Sequence, residues 1–125
     1  MKRLYFALVA SALIATPAAA FRADNGLNVV ANAPGEGFTV DWAGASGASD
    51  FWCAAGEFAI RGLGLPTGTR LYRYSAPPRR SGEGIAFGLD PARGQPTGLL
   101  RVAGGQSVTA AYARRFCEFS RFSDR

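Results

Sequence analysis

In the stretch GFTVDWA (37–43), Phe38, Val40 and Trp42 alternate with Thr39 and Asp41. A period of two sends apolar side chains to one face of an extended chain and polar ones to the other, as in a half-buried strand. GLNVVANA (26–33) precedes it, and NAPGEG supplies the proline and glycines of a tight connection, so the two runs read as a hairpin. TRLYRYS (69–75) reads as a further strand with its tyrosines on one face. IAFGL (85–89) alternates again, with Ile85, Phe87 and Leu89 on the apolar side. LLRVA (99–103) suits a fifth strand or a short extended run.

Two stretches change to helical spacing. Phe51, Ala55, Phe58 and Ala59 recur at i, i+4, i+7 and i+8, which stacks them on one face of a helix over about 50–61. Ser49 is placed to cap this helix, and Asp50 sits in its first turn, where the helix dipole favours an anion. GLGLP ends it. Ser107 is placed to cap a second helix over about 108–119, with Val108, Ala111, Tyr112, Phe116 and Phe119 as its apolar stripe. The order β-β-α-β-β-(β)-α groups the strands instead of alternating strand and helix. It predicts an α+β fold, a small antiparallel sheet of four or five strands with both helices on one face.

The first twenty residues carry a different pattern. Lys2 and Arg3 form a short positive segment, Leu4 to Ala15 an apolar run, and Ala18 and Ala20 small residues before Phe21. This is the layout of a secretory signal peptide, with cleavage expected after about Ala20. The apolar run stops at Pro17, short of the roughly 20 residues a spanning helix needs. The chain therefore divides into a signal peptide, 1–20, and one exported domain, 21–125, with no transmembrane segment in the mature part.

Without Lys2 and Arg3, twelve basic residues face nine acidic ones, a net charge of +3, and every basic residue is arginine. A GC-rich genome explains that bias more simply than anion recognition does. A charge this mild, with no basic stripe, argues against nucleic acid. The chain has no histidine, which removes the commonest general base and metal ligand and every Ser-His-Asp or Cys-His arrangement. Without lysine in the mature part, Schiff-base chemistry goes too. No phosphate loop, calcium loop or cofactor motif is present, so no cofactor, metal ligand set or catalytic residue is assigned.

Cys53 and Cys117 are the two cysteines. In an oxidising compartment they pair, and with one residue in each helix the bridge joins the helices over the sheet. A redox role would want a second cysteine close in sequence, as in C-x-x-C, and a metal site more ligands than two thiols. Trp52 is read as a packing neighbour of the bridge whose indole N–H finds a partner.

Two arginine groups remain as candidates for an anionic partner. Arg79 and Arg80 lie at the tip of APPRRSGEG (76–84), and Arg114 and Arg115 lie in the last helix, whose C-terminus favours cations. The segment FWCAAGEFAIRGLG, with a distant cysteine in a C-terminal helix, resembles a group of small exported single-disulfide bacterial proteins. The resemblance covers residues 49–64 and Cys117; it implies export and one disulfide, and no activity.

The first expectation is a non-catalytic binding or accessory module of the bacterial cell envelope, periplasmic or secreted. Its partner would be a protein or an anionic envelope component. One alternative is a small hydrolase using carboxylates from Asp41, Asp50 and Glu57. Another is a structural subunit of an envelope assembly, joined through exposed aromatics at Trp42, Trp52, Tyr72 and Tyr74.

Overall fold

The computed structural model describes residues 20–44, 46–99 and 107–120. The expected signal peptide up to residue 19, and residues 100–103 of the LLRVA run, lie outside the described residues. The chain forms β1 (Phe21–Arg22), β2 (Asn28–Ala31) and β3 (Phe38–Val40), then helix α1 (Ala48–Glu57), which continues as a π-helical turn over Phe58–Gly62. There follow β4 (Arg70–Arg73), β5 (Ile85–Gly88), a 3-10 turn (Pro91–Arg93), β6 (Ser107–Thr109) and helix α2 (Ala110–Ser120). The strands form one antiparallel sheet in the order β1-β2-β3-β5-β4-β6.

The α+β architecture is as the sequence predicts, with corrections in strand number, helix caps and the inward face of α2. The sheet has six strands where four or five are expected, because residues 21–22 pair with β2 and residues 107–109 pair with β4. By its spacing the second of these reads as the cap and first turn of the helix. Val108 fits the apolar stripe of a helix and the buried side of a strand equally well, and pairing opposite Leu71 decides for the strand. The cap of α2 moves accordingly: Tyr112 donates its backbone N–H to Thr109 Oγ1 at 3.2 Å, so Thr109 takes the role expected of Ser107. At α1 the cap is Gly47, not Ser49, and the Asp50 carboxylate accepts the Gly47 N–H at 2.8 Å.

Residues directly opposed in an antiparallel ladder share a face. The registers Phe21–Val29–Val40–Ile85, Phe38–Phe87–Arg73 and Leu71–Val108 therefore assemble one face of the sheet. Val29, Val40, Ile85, Phe38, Phe87, Leu71 and Val108 are all buried on it. Large apolar side chains of this kind each favour folding by roughly 1.5–3 kcal/mol when fully buried. α1 lies on this face against β2 and β3, and α2 packs against α1. Phe51 to Ala59 are consequently buried on every side, between sheet and second helix. Aromatic rings connect the layers: Phe58 meets Phe38 at 4.8 Å, Phe38 stacks on Phe87, and Phe87 meets Trp52 edge-on at 4.8 Å.

The two helices cross at their smallest residues. A Cβ on Gly56 would stand 2.6 Å from the Arg114 backbone nitrogen and 2.8 Å from the Ala110 oxygen and Ala113 Cβ. This approach turns the face of α2 with Ala110, Ala113 and Cys117 inward, while Ala111 and Tyr112 are exposed and Phe116 is half-buried. The stripe expected from hydrophobic spacing is thus rotated. The bulkier residues do not win the contact, because only the small ones fit against Gly56.

Candidate functional site

Cys53 and Cys117 are bonded, with their Cα atoms 4.8 Å apart, and they join α1 to α2 as expected. Glu57, one turn after Cys53, brings a carboxylate against the bridge; the two sulfurs and one carboxylate oxygen lie within 4.8 Å of one another. With the thiols spent on the bridge, that carboxylate serves other partners. Its Oε1 accepts from Arg61 at 2.7 Å and its Oε2 from the Asp24 backbone N–H at 3.0 Å, which satisfies a side chain only 1% exposed. Trp52 is fully buried and donates its indole N–H to the Thr97 carbonyl at 2.9 Å. That bears out its packing role and removes it from any exposed aromatic patch; Trp42 is the tryptophan that reaches solvent.

The carboxylates of the hydrolase alternative hold separate positions. Asp50 caps the first turn of α1, and Glu57 ends the same helix seven residues on, about 10 Å along the axis. Asp41 is exposed after β3.

The two arginine pairs occupy opposite ends of α1. Arg114 and Arg115 are exposed on α2, where they line a hollow of about 330 Å³ shared with Asp24, Glu57 and Glu118. Their charge has acidic company. Arg79 lies at the other end, its guanidinium 5.0 Å from the centre of the Phe51 ring. Its Nη1 donates to the carbonyls of Arg80 (3.0 Å) and Glu83 (2.9 Å), and its Nη2 to that of Ser46 (3.4 Å). The loop after the Pro77–Pro78 pair is therefore fastened to the start of α1 by one side chain. Arg80 is exposed beside it.

Arg79 shares a cavity with a residue that the hydrophobic pattern does not announce, Arg73. The pattern of TRLYRYS gives Arg73 only as part of a strand with tyrosines on one face. Tyr72 does point away from the core, but the opposite side of β4 presents Leu71 and Arg73 inward, and Arg73 is 2% exposed. Its Nε donates to the Ser75 carbonyl at 2.7 Å, and its Nη1 to the Thr97 carbonyl at 3.4 Å, which Trp52 already uses. Among the described residues no carboxylate forms an ion pair with it. Burial, and then the neighbouring Arg79 charge, hold its guanidinium below the usual arginine value. The available signal was the register: in the alternating run from Leu71 to Tyr74, an arginine occupies a position that the pattern assigns to the core.

Arg73 and Arg79 line one cavity of about 310 Å³, together with Ser46, Gly47 and Ala48 at the start of α1. A third, apolar cleft of about 480 Å³ lies elsewhere, between Phe38, Phe58, Leu63, Tyr74 and Leu89. No protein-family model matches the chain, and no curated protein or solved structure is similar to it.

Proposed function

We propose that this is a non-catalytic binding or accessory module of the bacterial cell envelope, exported by cleavage after about Ala20. Its contact with an anionic partner is the loop bearing Arg79 and Arg80. The observation that carries this reading is the way Arg79 is held. Three backbone carbonyls and an aromatic face fix its position without neutralising its charge. A guanidinium fixed in this way loses less freedom on binding, and the exposed Arg80 adds a second charge beside it. Export to the periplasm or beyond is supported by the disulfide. No described helix is long and apolar enough to cross a membrane.

The test is retention on a dextran sulfate resin under a salt gradient. The variant Arg79→Glu with Arg80→Glu should elute at clearly lower salt than the natural protein, because two phosphate- or sulfate-facing cations are lost. Elution of both at the same salt concentration would remove this loop as the contact.

A further inference from the structure

We infer that the cavity between β4 and the start of α1 binds a phosphate-type dianion, free or as the end of a larger ligand. The inference rests on the loop reading only through Arg79 and does not need Arg80. Four observations converge. Arg73 is nearly fully buried and lines the cavity. Its Nε and Nη1 are used on carbonyls, while its Nη2 has no hydrogen bond among the described residues. Arg79 brings a second guanidinium to the same space. No carboxylate lines the cavity among the described residues.

The start of α1 borders the same cavity. Asp50 and Phe51 donate their N–H groups to Gly47 O, and the N–H groups of Ala48 and Ser49 precede the first intrahelical acceptor. Those amides and the helix dipole favour an anion. Asp50 already supplies one: its carboxylate accepts the N–H of Gly47, a residue that lines the cavity, at 2.8 Å. Gly98 makes room for the Arg73 guanidinium at the cavity wall: a Cβ there would stand 2.5 Å from Arg73 Nη1.

Charge balance selects the ligand class. The Asp50 carboxylate answers the helix N-terminus, so it is the two guanidinium groups that leave about two positive charges at the cavity, and a buried charge without a counter-charge is costly. A monoanion such as acetate would leave one charge unanswered; a dianion answers both. Arginine also matches phosphate oxygens bidentately.

The test is calorimetric titration and thermal unfolding of the oxidised protein in inorganic phosphate, with chloride and acetate at the same ionic strength as controls. Phosphate is expected to bind saturably and raise the unfolding temperature, with acetate at least tenfold weaker. Arg73→Met should abolish the phosphate response, and Arg79→Gln should weaken binding about tenfold. The Arg79→Gln variant carries the test if Arg73→Met does not fold. Arg80→Glu should leave phosphate binding intact while lowering retention on dextran sulfate, which separates this site from the loop contact. A glycerol 1-phosphate arm distinguishes the sources: tighter binding than phosphate marks the end of a larger ligand, and weaker binding a free anion. Equal affinity for acetate and phosphate, or a phosphate response that survives in Arg73→Met or is unchanged in Arg79→Gln, would overturn the inference.

Discussion

At one end of α1 the buried carboxylate of Glu57 meets the Arg61 guanidinium at 2.7 Å and the Asp24 amide at 3.0 Å. At the other end the buried guanidinium of Arg73 meets only carbonyl oxygens, and its nearest charged neighbour by electrostatic effect is another arginine. Both charges are shielded from water by the same core. The first is supplied with its counter-charge by the chain itself, so it belongs to the structure. The second is supplied with more of its own sign. A pair that is complete stabilises the fold against the loss of either member, whereas an unanswered charge is a standing cost. The contrast separates an end of the helix built to hold from an end with room for something else.

That separation can be attacked from its strongest element downwards. Replacing both cysteines, as Cys53→Ala with Cys117→Ala, should lower stability by about 4 kcal/mol in urea unfolding, given a bridge that closes a loop of 64 residues. If the two ends are independent, the phosphate response of whatever fraction remains folded should persist. Gly56→Val should cost about 3 kcal/mol, because the new side chain meets the backbone of α2, which the bridge keeps close. Comparing oxidised and reduced forms sharpens this: after reduction α2 can move away, and the penalty should shrink.

Arg61→Ala should destabilise by about 1–2 kcal/mol. It strips the counter-charge from Glu57, but Arg61 is itself half-exposed, so water answers part of the loss. The smallest effect is expected for Arg73→Met in phosphate-free buffer, a change of within about 1 kcal/mol or a slight gain, since a buried unpaired charge is exchanged for an apolar chain. Opposite signs for Arg61→Ala and Arg73→Met in the same unfolding assay would establish the contrast. A loss of several kcal/mol for both would make Arg73 as structural as Glu57.

Much of the frame is legible from periodicity. Phe38 with Val40, Ile85 with Phe87, and the spacing from Phe51 to Ala59 identify strands and a helix because each pattern has one good burial solution. The bridge follows from cysteine count and expected compartment, and the Trp52 hydrogen bond from the chemistry of a buried indole. What escapes are features decided between elements. Val108 satisfies two patterns at once, and only Leu71 across the ladder settles which. The inward face of α2 is set by the space beside Gly56, a property of α1 that no window on α2 contains. Arg79 was visible as a charge in a proline-rich loop. Arg73 is visible only as a break in alternation, and such a break becomes informative once the register sets it opposite Phe87 on the core face, in a cavity shared with Arg79.

The bridge between α1 and α2 also fixes an order of events. In a chain passed outward with its N-terminus first, Cys53 emerges long before Cys117. Until the second helix follows, Gly56 and the small-residue side of α1 have nothing to pack against, and β4 lacks its outer neighbour β6. Contacts between residues so far apart in sequence form slowly. On the proposed export route the molecule would therefore stay pliable through most of its passage and lock covalently only when α2 arrives, a thread before it is a globule.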